Sequence, residues 1–262
     1  MLILLALLGV PLAWFANWQS TKLRQQRAAE RIESRRGGVS YESSFRPPIA
    51  FALSYLLPKH CIREARVVGA YDTDDSLLKE VAHFPQLQYL TLSNSPITDE
   101  GLRSIRHLTR LRQLSLQGSN VTDRGVAQLS SLQELERLHL SGRGITDTSL
   151  RQIARCKQLQ ELVLIDTSIT DEGVQHLNGA PQLHTLYIGG SQVTSRVFDT
   201  LETMPKLKQL DLGQSQIDDA AIPQICRLNG LEVLCLRGTR LSEEGKKKLR
   251  QKFPSWILHV DD

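Results

Sequence analysis

Cysteine and net charge are both scarce in this sequence. Four cysteines in 262 residues, none in Cys-x-x-Cys spacing, exclude a small secreted scaffold stapled by disulfides. The formal net charge is only +4, and residues 22–36 account for all of it with six cations and two anions. The rest of the chain is neutral, so it lacks the positive surface that nucleic-acid binding requires, and no nucleic-acid partner is expected.

The sequence also lacks the short motifs of common catalytic and metal sites. No Gly-x-Ser-x-Gly elbow, His-Glu-x-x-His zinc motif or Gly-x-Gly-x-x-Gly phosphate loop is present. We therefore expect no enzymatic activity, no cofactor and no bound metal. The content of 40% hydrophobic and 23% charged residues is that of a globular protein.

The first 21 residues carry no charged side chain and are mostly apolar. Trp14 and Trp18 stand near the end of this stretch, directly before the basic residues, an order typical of a membrane boundary. The pattern predicts a transmembrane anchor over residues 1–21 and a basic juxtamembrane helix and linker over residues 22–38, with residues 22–36 facing lipid headgroups. The protein would then be a single-pass membrane protein. The cations place the rest of the chain, which contains the repeat domain described below, in the cytoplasm. A cleaved signal peptide and a buried helix are the alternatives.

A repeat of 24 residues occupies most of the remaining chain. The pattern Leu-x-x-Leu-x-Leu recurs seven times without an insertion over residues 87–254. Its first leucines are Leu87, Leu111, Leu135, Leu159, Leu183, Leu207 and Leu231. The alternation within the pattern predicts a short strand with its leucines turned inward.

The second half of each repeat predicts a helix. Thr-Asp precedes an apolar pair at helical spacing in four repeats, as in Thr98-Asp99 before Leu102 and Ile105. The aspartate is expected to cap the helix, because its oxygen can accept the free N–H groups of the first turn. No single repeat can bury its own leucines, so the repeats must stack.

The seven copies resemble the leucine-rich-repeat family, in the variant Leu-x-x-Leu-x-Leu-x-x-Thr/Ser-x-Ile/Val-Thr-Asp-x-Gly-Leu. The whole chain resembles bacterial leucine-rich-repeat proteins anchored by one membrane span. The resemblance implies an α/β fold: a right-handed leucine-rich-repeat solenoid, or horseshoe, with a parallel concave sheet and helices on the convex side, preceded by the N-terminal transmembrane helix.

Both ends of the solenoid need caps. Val68 lies 24 residues before Leu92, so residues 39–86 are expected to form an N-terminal cap and a degenerate first repeat. The apolar stretch 47–62 would cover the exposed end as a helix. Residues 255–262 are expected to contain a closing strand.

Side chains next to the inward leucines point to the concave face, because neighbours along a strand alternate sides. These positions vary between repeats and include aromatic, arginine and aliphatic side chains, which are typical of protein interfaces. The candidate protein-binding residues are Tyr89, Arg137, His139, Val163, Ile165, Tyr187, Asp211 and Arg237. We expect a non-catalytic protein that binds another protein or a peptide through this face.

Two other functions are open at this point. The repeat variant also occurs in substrate-receptor subunits of ubiquitin ligases, which carry a helical adaptor-binding module before the repeats. A calcium or other metal-binding protein is suggested by the recurring aspartates Asp99, Asp123, Asp147, Asp171 and Asp219, although their fixed place before each helix favours capping.

Overall fold

The computed structural model describes residues 12–34, 37–42, 64–228, 230–254 and 257–260. Strands and short helices alternate along these residues. The strands are β1 Gly38–Glu42, β2 Glu64–Tyr71, β3 Tyr89–Ser93, β4 Gln113–Gln117, β5 Arg137–Ser141, β6 Glu161–Ile165, β7 Thr185–Tyr187, β8 Gln209–Asp211, β9 Val233–Cys235 and β10 Ile257–His259.

The helices are α1 Leu12–Ser34, α2 Asp75–Val81, α3 Asp99–Ile105, α4 Asp123–Val126, α5 Asp147–Ile153, α6 Asp171–Gln175, α7 Val197–Leu201, α8 Ile222–Ile225 and α9 Glu243–Lys252. Most are too short to be stable in isolation, so their stability comes from packing in the stack. Short 3₁₀ segments follow α4 and α6 and precede α8.

The strands of the described residues form one sheet in which every strand pairs with its neighbour in sequence. β1 is antiparallel to β2, and all later pairs are parallel. From β3 onward the register equals the repeat length, so that Leu90 faces Leu114 and Leu114 faces Leu138. The leucines at these positions are fully buried on the helix side of the sheet. The structure is therefore a stack of strand–helix units around one continuous core.

The first unit is shorter than its sequence spacing suggests. Val68 pairs with Leu90, and Ala70 pairs with Leu92, so the expected alignment of Val68 with Leu92 is wrong by two residues. A slip of two residues keeps the same side chains facing the core, because strand side chains repeat every second residue.

A residue with a left-handed backbone directly follows each of the strands β2 to β6 and recurs at the same place in the later units. Glycine occupies this position four times, at Gly118, Gly142, Gly190 and Gly238. The other residues that occupy it are Asp72, Asn94, Asp166 and Gln214, with φ between 49° and 57°. A side chain is strained in this conformation, whereas glycine adopts it freely.

The Thr-Asp pair has two separate roles. Thr98 is the N-cap of α3, with its hydroxyl accepting a bond from Glu100 N–H at 3.3 Å, so the expectation that the aspartate caps the helix is wrong. Asp99 instead reaches the next repeat, where its carboxylate accepts bonds from the backbone N–H of Thr122 at 2.8 Å and from its hydroxyl at 2.7 Å.

This inter-repeat bond recurs along the stack, and we call the series the Asp–Thr ladder. Its pairs are Asp75–Thr98, Asp99–Thr122, Asp123–Thr146, Asp147–Thr170, Asp171–Thr194 and Asp219–Ser242. A glycine three residues after the threonine makes room for the aspartate of the preceding repeat: a Cβ on Gly125 would lie 2.3 Å from Asp99 Oδ1. At one junction the donor and the acceptor change places. Ser195 stands where the other repeats have the aspartate, and its hydroxyl donates to Asp218 Oδ1 of the next repeat at 2.7 Å.

The predicted membrane location is wrong. No helix among the described residues is long and apolar enough to cross a membrane. α1 contains the later part of the predicted span, but from Lys22 onward it carries the charged residues of the basic segment. Residues 1–11 of the predicted span lie outside the described residues.

The second part of α1 packs against the first repeat. Ala28, Ala29 and Ile32 are buried in the core. Gln25 Nε2 donates to the carbonyl of His83 at 2.9 Å, and Arg31 forms an ion pair with Glu80. One face of α1 is therefore part of the protein core, which the sequence interpretation as a juxtamembrane helix does not predict.

The two ends of the sheet differ. At the N-terminal end, β1 covers the edge of β2 in antiparallel register. At the other end, β10 continues the parallel sheet with Leu258 opposite Leu234. The apolar stretch 47–62, which the sequence assigns to the N-terminal cap, lies outside the described residues.

The open sheet face as a candidate protein-binding site

The side of the sheet opposite the helices carries three columns of side chains, which we call the open sheet face. The first column consists of Tyr89, Gln113, Arg137, Glu161, Thr185, Gln209 and Val233. The middle column consists of Thr91, Ser115, His139, Val163, Tyr187, Asp211 and Cys235, and the third of Ser93, Gln117, Ser141, Ile165, Gly189, Gly213 and Arg237. Alternate residues of each strand point to the core, so these columns are free of its packing requirements.

Glu161 joins two of the candidate residues into a polar cluster. His139 Nε2 lies 2.7 Å from Glu161 Oε1, and Arg137 Nε lies 3.7 Å from Glu161 Oε2. Arg137 also donates from Nη1 to Gln113 Oε1 at 3.5 Å. The carboxylate therefore orients both side chains and neutralises part of the charge of Arg137.

Tyr187 is held by the neighbouring strand. Its hydroxyl donates to Gln209 Oε1 at 2.9 Å. Burial raises the pKa of Tyr187, and the negative charges of Asp211 and Glu161 raise it further. The phenol therefore stays protonated at neutral pH and keeps its donor.

Val163 and Ile165 differ in exposure although both belong to the open sheet face. Val163 is only 6% exposed, so its predicted role as an exposed apolar anchor is wrong. It lies between His139 and Tyr187 in register, and both of these side chains are larger than its own. Ile165 is 40% exposed, and its strand neighbour is the small Ser141.

The strands β7, β8 and β9 shorten to three residues. Gly189 and Gly213 stand here in the third column, between Ile165 and Arg237. A Cβ on Gly213 would lie 3.1 Å from Asp211 Oδ1, and one on Gly189 would lie 3.7 Å from the same atom. The Asp211 carboxylate therefore lies against both glycines, and its Oδ1 accepts a bond from Gly213 N–H at 2.8 Å.

Four of the candidate residues form a continuous row. His139, Val163, Tyr187 and Asp211 lie directly opposite one another on consecutive strands from β5 to β8. Arg137, Ile165 and Arg237 flank this row in the outer columns. Tyr89 is half-buried on β3, two strands away from Arg137, and does not belong to the row.

Metal ligands do not converge in the part of the chain that the structure describes, where no group of three or more His, Cys, Asp or Glu side chains could hold an ion. The aspartates of the ladder are each engaged by a threonine or serine of the next repeat. Cys156 is buried in the core, and burial raises the pKa of its thiol to about 11.

Comparison with known proteins agrees with this architecture. A family model described as a leucine-rich repeat matches residues 85–105. Among solved structures, internalin C2 (inlC2) of Listeria monocytogenes is similar with a TM-score of 0.58 and 22% identity, over 82% of this chain and 92% of that one. The fold is a leucine-rich-repeat solenoid.

A second internalin (inlF) of the same organism matches with a TM-score of 0.53 and 21% identity, over 71% of this chain. The match spans only 56% of that internalin. A search of curated protein sequences gives no match. The leucine-rich-repeat family is thus supported by the family model and by these structural neighbours. At sequence identities of 21% and 22%, the neighbours support only the fold.

The solenoid brings together residues that the sequence interpretation passed over. Glu161 and Gln209 belong to the open sheet face but are not among the candidate residues, although each bonds to one of them. Their spacing carries the signal: residues 22 or 24 apart lie on adjacent strands of the stack, so opposite charges at that spacing predict an ion pair.

Proposed function

We propose that the chain is a non-catalytic binding protein that holds another protein or a peptide on its open sheet face. The observation that supports this most directly is Ile165. Among the described residues, only Leu23 and Ile165 are exposed large hydrophobic side chains, and Ile165 lies within the repeats. An exposed apolar side chain on a face that also carries ordered polar groups is a common arrangement in protein interfaces.

Several polar groups of the open sheet face are held in place before any partner arrives. His139 and Arg137 are fixed by Glu161, and Tyr187 is fixed by Gln209. Side chains that are already ordered lose less conformational entropy on binding, so their contacts contribute more to affinity. A stack of repeats also offers an extended surface on which a long segment can make several such contacts.

The repeat variant is part of the same proposal. The Thr-Asp-x-Gly pattern has a physical basis in the Asp–Thr ladder, since the threonine donates, the aspartate accepts and the glycine leaves room for the carboxylate. We propose on this ground that the repeats belong to the 24-residue variant.

Panning a phage library of random peptides on the full-length chain tests the proposed function. Selected peptides should lose at least tenfold in affinity for a quadruple alanine variant of Arg137, Ile165, Tyr187 and Arg237, because these side chains rise from the open sheet face. A matched variant on the helix side, with alanine at the exposed residues Arg103, Arg124, Arg151 and Glu172, should bind as wild type. Absence of binders, or equal loss in both variants, would contradict the proposal.

A further inference from the structure

The fifth and sixth repeats, which meet at Leu207, are joined differently from their neighbours. At the preceding junction Asp171 accepts two ladder bonds, from the backbone N–H of Thr194 at 2.8 Å and from its hydroxyl at 2.6 Å. Between the fifth and sixth repeats, the described residues provide one ladder bond, from the hydroxyl of Ser195 to Asp218 Oδ1 at 2.7 Å. The ladder therefore contributes less to holding these two repeats together than it does at the junction before.

The acceptor of this one bond is shared with a second donor. Asp218 Oδ1 also accepts a bond from the N–H of Ala220 at 3.1 Å, because Asp218 is the N-cap of the helical turn that follows. Ala221 stands at the repeat position where Gly125 and Gly173 face the aspartate of the preceding repeat. Aspartate, threonine and glycine, the three residues of the ladder pattern, are thus all replaced at this junction.

A cleft lies at the same junction, beside the loops that precede the strands. It has a volume of about 280 Å³, and its lining includes Met204 and Pro205 on one side and Leu228 on the other. Met204 is 8% and Leu228 7% exposed, whereas Leu108 and Leu132 at the same repeat position are fully buried. Core side chains that reach a cleft bury less apolar surface, so they stabilise the contact between the repeats less.

The other side-chain contacts across this junction lie near the surface. Arg227 Nη2 lies 2.7 Å from Glu202 Oε1 at the cleft, and the Arg227 side chain is 58% exposed. Such exposed ion pairs contribute little to stability. On the open sheet face, the Tyr187 hydroxyl donates to Gln209 Oε1. The strands β7 and β8 pair over three residues, compared with five for β3 and β4.

We infer that the solenoid opens between the fifth and sixth repeats before it unfolds as a whole, so that β8, β9 and β10 separate with their helices as one unit. In a stack of repeats each unit contacts only its neighbours, so the cost of opening depends on the contacts at the junction that opens. The opening breaks the Ser195–Asp218 and Tyr187–Gln209 bonds and exposes the apolar walls of the cleft. This property of the fold does not rest on the proposed function.

Native-state hydrogen exchange of the full-length chain, followed by mass spectrometry at urea concentrations below the unfolding transition, tests the inference. The amides of β8 and β9 should exchange together, and at least tenfold faster than those of β4 and β5, with the boundary between β7 and β8. Exchange that rises gradually toward the C-terminus would overturn the inference, because fraying from the end requires no weak junction. A boundary at another junction would overturn it as well.

A repair variant tests the cause of the opening. Ser195→Asp, Asp218→Thr and Ala221→Gly together restore the ladder pattern at this junction and keep a side-chain oxygen for the N-cap. The variant should slow the exchange of β8 and β9 at least tenfold, because the carboxylate again accepts two bonds from the next repeat. Unchanged exchange in a folded repair variant would contradict the inference.

A transplant variant is the matched control and decides the question even if the repair variant does not fold. Asp171→Ser with Thr194→Asp copies the reversed pair to the junction between the fourth and fifth repeats. The amides of β7 should then exchange at least tenfold faster than in the wild type and join the unit of β8 and β9. If β7 exchanges as in the wild type, the ladder does not determine where the solenoid opens, and the inference fails.

Discussion

Asp99 accepts two hydrogen bonds from Thr122 of the following repeat, one from its backbone N–H at 2.8 Å and one from its hydroxyl at 2.7 Å. The pair satisfies an N–H at the start of the next helix and ties consecutive units together. Because the contact recurs at most junctions, it makes the ladder a second source of cohesion beside the leucine core.

Removing one aspartate of the ladder should destabilise the protein. Asp99→Ala is expected to lower the free energy of unfolding by about 1.5–3 kcal/mol, since hydrogen bonds to a charged group are lost and the Thr122 N–H loses its partner. Asp199→Ala is the matched control, because Asp199 also lies in the first turn of a helix and is exposed. Urea denaturation measures both, and equal losses in the two variants would disprove a specific role of the ladder.

The ladder should make stability depend on pH in the acid range. Burial alone would raise the pKa of Asp123, but bonds from Ser149 and Thr146 outweigh it and hold the pKa below the ordinary 3.8. Bonds from Ser242 lower the pKa of Asp219 in the same way. A carboxyl with a lower pKa in the folded state stabilises the fold above its unfolded pKa and loses this effect as pH falls through the folded pKa.

We therefore expect the urea midpoint to fall between about pH 4 and pH 2. Asp123→Asn should be less stable than wild type at pH 6. The difference in stability should shrink as the pH falls through the folded pKa of Asp123, because the wild-type side chain then loses its charge. A constant difference across this range would show that the charge of Asp123 does not contribute.

At the left-handed backbone position after the strands, glycine should make the folded protein more stable than other residues do. Gly118→Ala is expected to cost about 1 kcal/mol or more, because φ is +76° and a Cβ would lie 3.2 Å from the Asn94 Cα. Gln214→Gly should have the opposite sign and stabilise the protein by up to about 1 kcal/mol, since Gln214 adopts φ of 57°. Thermal melts of the two variants check the signs, and shifts in the same direction would refute this explanation.

Thr167→Val should stabilise the protein. The Thr167 hydroxyl is buried, and within the described residues it has no hydrogen-bond partner, while valine has the same shape without the polar atom. The gain is expected to be about 1 kcal/mol, because an unpaired buried polar group is costly. Ser215→Ala is the contrasting variant: Ser215 Oγ donates to the Leu212 carbonyl at 2.6 Å, so its loss should destabilise.

The repeat architecture could be predicted from the sequence because periodicity alone fixes which residues are buried. Leu138 and Leu162 are fully buried, as the alternation within each repeat requires, and Arg137 is exposed. The uninterrupted spacing also fixes the strand register, since an insertion of one residue would turn the leucines to the wrong face.

Contacts between repeats were harder to predict, because they depend on side-chain direction in three dimensions. A Thr-Asp pair before a helix suggests two possible caps, and only the structure shows Thr98 capping while Asp99 reaches Thr122. Val163 was misjudged for a related reason: its burial depends on its larger neighbours on β5 and β7, not on its own strand.

The N-terminal helix was misassigned because an apolar stretch followed by cations fits two environments. Ala28 and Ile32 are the residues that distinguish them, since they place an apolar stripe within the charged part of α1. That stripe packs on the first repeat, an environment the charge pattern alone does not reveal.

The antiparallel β1 has a consequence for self-association. In a stack of parallel strands, the last strand of one molecule could in principle extend the first strand of another, and repetition of that contact would build an endless fibre. Here β1 occupies the edge of β2 and runs against it, so a β10 arriving from a second molecule meets a strand of the wrong polarity. Because of this reversed strand, the parallel pairing of the repeats does not continue past β2 among the described strands.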